Sequence, residues 1–286
     1  MQKNIYQFSS KLESTKKVVD FYNEYPFPNY DDLFNKLDLH KKLKNNLFLK
    51  IIAEYCGFGK KILEVGSGTS QLSNLLASIS NNQVTALDAT YNSLLLGSNF
   101  SNENNIKNII YVNSDIDDSD KILKEKYYDV IICSGVLHHT ENPKKNFNKI
   151  VQLLKRDGII VLGLYNKYGR IRSYLIKFMY MIFGKKILNL IDSVYRNKKI
   201  DLRVKNSWVQ DQYNHPLESA HSLFEALEWF NNNSINVIKI VPNFNLDLRK
   251  KDQFIEKIKS IYYQFKINFN SYGADGGLFL LIGEKK

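Results

Sequence analysis

Short apolar runs alternate with amphipathic stretches from residue 61 onward. Strands are predicted for the apolar runs at 61–65, 84–88, 108–112, 128–133 and 158–164. Helices are predicted for the stretches between them at 71–79, 91–99 and 143–154. Continuously apolar strands that are separated by helices indicate a parallel sheet covered on both faces. We therefore expect a doubly wound α/β domain.

This alternation is interrupted twice in the second half of the chain. Residues 166–217 form amphipathic, aromatic-rich segments rather than strands, and residues 242–275 look irregular. A helix near 218–231 and a strand at 236–241 lie between the two interruptions, and an apolar strand at 278–282 follows the second. The pattern predicts a seven-stranded sheet with insertions after the fifth and sixth strands.

The segment before the first predicted strand is of a different kind. A short helix is predicted at 14–25, Pro26 and Pro28 then break the chain, and 33–55 is compatible with one helix. We interpret 1–58 as an amino-terminal helical cap. The sheet domain is assigned to 59–165 and 218–286, and 166–217 is interpreted as a lid insertion over the substrate.

The composition is that of an ordinary globular protein, with 44% hydrophobic residues. The two cysteines, Cys56 and Cys133, form no zinc-binding spacing, and Cys133 lies in an apolar run, so a reduced buried thiol and no metal site are expected. The first residues contain no apolar signal core, and no apolar run approaches the ~20 residues that span a bilayer. We expect a cytoplasmic protein.

The net charge of +11 raises the question of a nucleic-acid partner. Most of the excess comes from lysines spread along the chain, whereas arginine, which suits phosphate and base contacts, occurs six times. Five of the six arginines lie between Arg156 and Arg203. This distribution does not favour nucleic acid as a partner, and it draws attention to the insertion.

A glycine-rich turn follows the first predicted strand and opens a helix. Its residues Glu64-x-Gly66-x-Gly68 let the backbone approach a ligand that a side chain would exclude. Asp88 follows twenty positions after Gly68, at the end of the next strand, where a carboxylate can accept both hydroxyls of a ribose. Ser70 stands two positions after Gly68, where a third glycine at the same spacing would stand.

The turn resembles motif I of the class I S-adenosylmethionine-dependent methyltransferases, whose sheet is Rossmann-like. Further matches follow in order over roughly 60–285: Leu87-Asp88-Ala89, Asp115-Ile116, the strand end at 134–139 and the helix–turn at 153–159. The resemblance implies that Asp88 binds ribose, Asp115 and Ile116 meet adenine, and S-adenosylmethionine is the cofactor. The cofactor residues it implies are Glu64, Gly66, Ser67, Gly68, Asp88, Ala89, Asp115, Ile116 and Ser134.

Two histidines follow the fourth predicted strand, at the end that would face the transferred methyl group. The string Leu137-His138-His139-Thr140-Glu141-Asn142-Pro143 resembles the ubiquinone, arsenite and sterol branches, which act on small molecules. Either histidine could serve as a base, since imidazole titrates near neutral pH, or could only position the loop. His139 is the better catalytic candidate; His138 and Tyr25 are the others.

The acceptor is expected to lie among aromatic and basic residues outside the sheet. Tyrosines of the cap could exclude water and contact the sulfonium group, or could simply brace the core. The string from Trp208 to His221 resembles strings in bacterial methyltransferases of unassigned substrate, and substrate recognition competes there with helix capping. The candidate substrate-binding residues are Tyr22, Tyr30, Tyr165, Arg170, Arg172, Trp208, Tyr213 and His215.

Three interpretations of the basic insertion remain open. A packed lid or homodimer face is favoured over an anion-binding lid for a carboxylate or phosphate substrate, and over a helix on a membrane surface. The functional hypothesis is methyl transfer from S-adenosylmethionine to a small molecule, and an anionic acceptor is one of the options left open. The alternatives are an RNA (tRNA) methyltransferase that uses the insertion, a membrane-associated lipid or quinone methyltransferase, and a catalytically silent subunit.

Overall fold

The computed structural model describes residues 5–8, 13–28, 30, 35–198, 200–248, 254–269 and 277–286. One sheet contains all the strands of these residues: β1 (Ile5–Gln7), β2 (Lys61–Val65), β3 (Gln83–Asp88), β4 (Ile109–Asn113), β5 (Tyr128–Ser134), β6 (Leu154–Tyr165), β7 (Ile235–Val241) and β8 (Leu278–Lys285). The strand order is β1-β4-β3-β2-β5-β6-β8-β7. Strands β1 to β6 pair in parallel, and β8 runs antiparallel between β6 and β7.

The predicted doubly wound α/β fold is confirmed, with one correction to the strand count. All seven predicted strands are present, but the described sheet has an eighth, because β1 pairs with β4 at its edge. This strand has three residues in a polar segment, so it lacks the apolar signal of the buried strands. The strand order reverses between β2 and β5, and an open parallel sheet binds its ligand at the carboxyl ends of such a switch point.

Helices cover both faces of this sheet. They are α1 (Glu13–Glu24), α2 (Lys36–Asn45), α3 (Leu47–Cys56), α4 (Gln71–Ile79), α5 (Tyr91–Glu103), α6 (Ser119–Ile122), α7 (Pro143–Leu153), α8 (Ile171–Phe183), α9 (Lys185–Ile191), α10 (Ser193–Arg196), α11 (Leu202–Tyr213), α12 (Leu223–Asn232) and α13 (Phe254–Lys266). One core cluster contains Phe147 of α7 and Phe230 of α12, and a second contains Ile52 of α3 and Leu94 of α5. Both cysteines are buried free thiols.

Two predictions about helices are wrong. The single helix at 33–55 is two helices, because Asn46 ends α2 in an extended conformation and its side chain caps α3 by accepting the N–H of Leu49. The region 242–275 is not irregular throughout, since it contains α13, whose outward face is apolar. Residues 33–34, 249–253 and 270–275 of these two predictions lie outside the described residues.

The insertion at 166–217 is helical, as its amphipathic pattern predicts, and it has a small core of its own. Ile176 of α8, Leu188 of α9, and Val209 and Tyr213 of α11 are buried together. Helices α8 to α11 therefore form a unit that packs on the carboxyl edge of the sheet, where the candidate site lies. The proposed domain boundaries stay a prediction.

Candidate active site

The glycine turn connects β2 to α4 in a shape that depends on two glycines. Gly66 and Gly68 have φ of +65° and +51°, a region that other L-residues rarely adopt. A Cβ on Gly66 would lie 2.3 Å from Val136 Cγ2, and one on Gly68 would lie 2.5 Å from the carbonyl oxygen of Phe27. The turn is thus packed between the loop after β5 and the amino-terminal segment, and any side chain at either glycine would displace a neighbour.

Ser70 adopts the backbone conformation that a third glycine would favour. Its φ is +59°, its N–H donates to the carbonyl of Ser67 at 2.7 Å, and the two serine hydroxyl oxygens lie 3.0 Å apart. Ser70 therefore takes the left-handed conformation although it is not a glycine. The hydrogen bond between the two serine hydroxyls offsets part of the strain that this conformation costs a residue with a side chain.

Two carboxylates, those of buried Glu64 and half-buried Asp88, lie beside this turn. Burial raises the pKa of Glu64 to about 8, although the Ser73 hydroxyl donates to its carboxyl group. Asp88 accepts the N–H groups of Gly68 and Thr90, each at 2.7 Å, and burial still raises its pKa. Asp88 is thus bonded to the turn itself, at the position where ribose hydroxyls would meet it.

Asp115 connects the next strand end to the cap. One carboxylate oxygen accepts the N–H of Asp117 at 2.9 Å, and the other accepts the hydroxyl of Thr15 in α1. Ile116 beside it is buried. Thr15 was not among the predicted residues, because a single polar residue on a surface-like helix carries no signal of a contact across 100 positions.

One cavity of about 550 Å³ joins these features. It is lined by every residue predicted to bind the cofactor: Glu64, Gly66, Ser67, Gly68, Asp88, Ala89, Asp115, Ile116 and Ser134. This set fits S-adenosylmethionine: a glycine cradle that a Cβ would fill, a carboxylate for the ribose hydroxyls, and an acid with an apolar neighbour for adenine. The same cavity continues to His139, Tyr22, Tyr165 and Trp208, which were predicted for catalysis or acceptor binding.

The two histidines of the strand end have different surroundings. His139 lines the cavity, its Nδ1 lies 2.8 Å from the carbonyl oxygen of Leu217, and burial lowers its pKa to about 4. An N–H at Nδ1 that donates to this carbonyl leaves Nε2 of the neutral ring as an acceptor. His138 is fully buried behind the cavity wall, and its Nδ1 accepts the N–H of Tyr165 at 3.3 Å. Burial lowers the pKa of His138 well below its usual value.

Tyr165 lies at the centre of a stack of three side chains. Its ring is 3.7 Å from the His138 ring on one face and 3.6 Å from Arg170 Cζ on the other. The Arg170 guanidinium also donates to both carboxylate oxygens of Glu218, at 3.2 and 3.0 Å, and to the side chain of Gln212 at 2.9 Å. Arg170 was predicted to bind substrate, but it is 1% exposed and lies one layer behind the cavity, where it supports the wall.

Asp211 and Gln212 of α11 complete the wall, and the candidate residues did not include them. Asp211 accepts the Tyr22 hydroxyl at 2.9 Å and the Gln212 amide at 2.9 Å, and burial raises its pKa. The Gln212 amide also donates to the Tyr165 hydroxyl at 3.0 Å. Asp211 and Gln212 belong to the run of polar residues that follows Trp208. The candidate list takes only the aromatic residues and the histidine of that run.

The structure places four further candidates away from the cavity lining. Tyr30 is hydrogen-bonded to the glycine turn, since its hydroxyl donates to the carbonyl oxygen of Thr69 at 2.9 Å. Tyr213 donates to Asp192 within the insertion core. Tyr25 is half-buried at the end of α1, next to Phe21, and Arg172 is half-exposed on α8. These side chains hold or flank the walls.

His215 also lies behind the cavity wall. Its ring is 3.6 Å from the His139 ring and 5.0 Å from the Phe21 ring, and burial lowers its pKa to about 3. His215 therefore packs between His139 and Phe21 of α1 and supports the position of the His139 ring.

Comparison with known proteins agrees with this geometry. Residues 58–181 match the family model described as a methyltransferase domain. Over 119 residues the chain is 34% identical to the ubiquinone biosynthesis O-methyltransferase of Rickettsia canadensis, and over 116 residues 31% identical to that of Glaesserella parasuis. These matches cover 41% and 40% of this chain and 48% of each relative, so the chain spans about half the length of the curated relatives it matches.

Solved structures share the fold at low sequence identity. The magnesium protoporphyrin IX methyltransferase of Synechocystis PCC 6803 with bound S-adenosylhomocysteine aligns over 96% of this chain and 100% of its own, with a TM-score of 0.56 and 14% identity. PKMT2 from Rickettsia typhi with the same product bound aligns over 84% and 52%, with a TM-score of 0.57 and 17% identity. Residues 58–181 are therefore a methyltransferase domain, on a chain with the class I fold of S-adenosylmethionine-dependent enzymes.

Proposed function

We propose that this protein transfers a methyl group from S-adenosylmethionine to a small-molecule acceptor. When bound, the cofactor supplies an electrophilic methyl group on a sulfonium. The observation that carries the proposal is the single cavity that joins the glycine turn, Asp88 and Asp115 to His139 and Asp211. A site that holds both partners in one enclosed space accelerates the reaction mainly through their orientation.

The size and cover of the cavity support a small acceptor. A volume of about 550 Å³ falls within the range of small-molecule sites, and α1 and α11, joined by the bond from Tyr22 to Asp211, both contribute to its lining. A polynucleotide would need an open basic groove with stacking aromatic residues. The matched relatives are named O-methyltransferases, which supports a hydroxyl group as the acceptor.

A hydroxyl acceptor must lose its proton, and the position of His139 in the cavity lining supports this residue as the group that accepts it. Its pKa of about 4 keeps the ring neutral at pH 7, and the bond from Nδ1 to Leu217 O directs the free lone pair to Nε2. Both Asp211 oxygens already accept donors, from Tyr22 and Gln212. We therefore assign the role of proton acceptor to His139. Asp211 would close the cavity wall and offer the acceptor molecule a second hydrogen-bonding group.

Calorimetry with S-adenosylhomocysteine tests the cofactor site. Asp88→Ala should abolish measurable binding because the ribose hydroxyls lose their acceptor, whereas Glu103→Ala, an exposed acid on α5, should bind as the wild type does. Undiminished binding by Asp88→Ala would contradict the assignment.

Labelled cofactor, incubated separately with RNA and small-metabolite fractions of a cell extract, tests the class of acceptor. We expect label in the small-metabolite fraction. Label only in RNA would favour the nucleic-acid alternative.

A further inference from the structure

Helix α13 is amphipathic, but its polar side faces inward. Glu256, Ser260 and Gln264 are at most 1% exposed. The opposite face presents large apolar side chains to solvent, and Phe254 is 69% exposed. The exposed apolar residues of this helix are Phe254, Ile255, Ile258, Ile261, Tyr262 and Phe265. A helix of a globular protein normally has the reverse orientation.

The inward polar residues are fixed by specific hydrogen bonds. Gln264 accepts the N–H of Leu223 at 3.0 Å and donates to the Ser260 hydroxyl at 2.7 Å. Glu256 accepts the N–H of Asp247 at 3.1 Å and Nζ of Lys259 at 3.1 Å. Rotation of α13 to bury its apolar face would break these bonds and leave their partners unsatisfied. The apolar face is therefore a built feature, available to a partner.

Helix α8 carries a second exposed apolar stripe beside the first. Its members, spaced as on one helical face, are Ile171, Tyr174, Leu175, Phe178 and Ile182. Asn268, which follows α13, accepts the N–H of Arg172 at 2.8 Å and donates to the carbonyl of Tyr168 at 2.7 Å. The end of α13 thus packs against the start of α8, and exposed apolar stripes on neighbouring helices mark an interaction surface.

The charged side chains within residues 171–191 and 254–269, which contain the two stripes, are almost all positive. Residues 171–191 and 254–269 include seven basic side chains: Arg172, Lys177, Lys185, Lys186, Lys257, Lys259 and Lys266. Glu256 is the one acidic residue in these two ranges, and it is buried. Such a surface complements a negatively charged partner. A second copy of the chain would bring two basic surfaces together, which Coulomb repulsion disfavours.

We propose that α8 and α13 bind the surface of an anionic lipid bilayer. Exposed Phe, Ile and Leu side chains would enter the boundary of the acyl chains, and lysines would meet the headgroups, as in amphipathic helices that lie in the interface. None of the helices in the described part of the chain has the length and apolar character of a transmembrane segment. Tyr262, with Lys266 Nζ 5.4 Å from its ring, has the mixed character that this boundary favours.

The proposed bilayer-binding surface on α8 and α13 is separated from the cavity by one helix, α11. Ile176 of α8 packs with Val209 of α11, and α11 also carries Trp208 and Asp211 of the cavity wall. Bilayer binding would therefore hold the acceptor side of the site close to the membrane. The inference does not depend on the proposed methyl transfer.

Co-sedimentation of the full chain with vesicles tests the proposal. One set contains phosphatidylcholine alone, and the other contains equal parts of phosphatidylcholine and phosphatidylglycerol. We expect binding to the anionic vesicles that salt weakens, and little binding to the neutral ones. Phe269→Ser, at a side chain 77% exposed next to α13, should weaken binding about tenfold. The matched control is Phe58→Ser, 72% exposed near β2, which should bind as the wild type does.

A second pair of variants tests the charges separately. Lys257→Gln and Lys266→Gln should each weaken binding to anionic vesicles about fivefold, and Lys50→Gln and Lys107→Gln, exposed elsewhere, should not. All variants should keep the thermal unfolding midpoint of the wild type, which excludes misfolding as the cause.

Several outcomes would overturn the proposal. They are no binding to anionic vesicles, equal losses for the test and control variants, and a homodimer in light scattering that Phe269→Ser dissociates. The last result would assign the surface to a second copy of the chain.

Discussion

The Tyr22 hydroxyl donates a 2.9 Å hydrogen bond to the Asp211 carboxylate, across 189 positions of sequence. It joins α1 of the amino-terminal segment to α11 of the insertion, and both helices contribute residues to the cavity lining. Burial raises the pKa of Tyr22 well above its usual value, with the Asp211 charge as the next cause, so the phenol stays a donor at all physiological pH values. A helix before the first predicted strand and a helix of the insertion are thus joined beside the cavity.

Tyr22→Phe is expected to loosen the contact between α1 and α11. The change leaves the Asp211 carboxylate, 5% exposed, without one of its donors, and should lower the free energy of unfolding by about 1.5–3 kcal/mol. Chemical denaturation measures this loss, and hydrogen exchange should become faster in residues 13–24. Tyr6→Phe, 60% exposed on β1, is the matched control. Unchanged exchange in α1 would show that the bond does not hold the cap.

Gly66→Ala is expected to abolish binding of S-adenosylhomocysteine. The new Cβ would collide with Val136 and add the strain of a left-handed backbone, about 1–2 kcal/mol. Gly59→Ala separates the two effects, because Gly59 has the same φ of +65° with no atom within 4 Å of a Cβ. Calorimetry should therefore show lost affinity for Gly66→Ala and retained affinity for Gly59→Ala. Equal affinities would mean that the turn can relax without closing the site.

The sheet and its cofactor side could be predicted from the sequence because their signals are local. The strand at 61–65 and the helix at 71–79 were located at their observed bounds, since an apolar run and a glycine turn mark them directly. The carboxyl ends of parallel strands meet at one edge, so Asp88 and Asp115 could be placed together without knowledge of any contact.

The acceptor side could be predicted only in part, because its contacts are distant in sequence. Nothing local distinguishes Arg170, which supports the wall, from a basic residue that faces a substrate. Asp211 is part of the wall through its hydrogen bond with Tyr22, and Thr15 reaches the site through its hydrogen bond to Asp115. Both bonds join residues that are far apart in sequence. Residues 242–275 were expected to be irregular, and nothing in their pattern shows that the polar face of α13 is the buried one.

Glu64 makes the stability of the unliganded protein depend on pH between about 4.5 and 8. Burial raises its pKa to about 8 from an ordinary value near 4.5, so the folded state holds a proton that the unfolded chain releases. This contribution is complete below pH 4.5 and is lost as pH rises to about 8. Glu64→Gln should gain stability relative to the wild type over that range, by about 1.4 kcal/mol per pH unit. Chemical denaturation at several pH values measures the free energy of unfolding of both proteins. If the two free energies change in parallel with pH, the carboxyl group of Glu64 is not protonated in the folded state.

His139→Gln tests the assignment of the proton acceptor. If the acceptor is a hydroxyl, the turnover rate should fall about 10²–10⁴-fold, because general-base catalysis contributes that much. Affinity for S-adenosylhomocysteine should stay within a few-fold of the wild type, since the cofactor residues are intact. His40→Gln, on α2 and away from the cavity, is the control and should retain activity. A retained rate in His139→Gln would favour an acceptor, such as an amine, that needs no base.

The buried histidines should make the protein sensitive to acid. Burial lowers the pKa of His139 to about 4 and of His215 to about 3, whereas both take up a proton near pH 6.5 in the unfolded chain. Their stabilising contribution is therefore complete above pH 6.5 and falls as pH drops towards the folded pKa values. His215→Gln removes one such group, so below pH 6.5 its stability should fall less steeply than that of the wild type, by about 1.4 kcal/mol per pH unit. Chemical denaturation between pH 7 and pH 5 measures both slopes, and equal slopes would mean that His215 is protonated in the folded state.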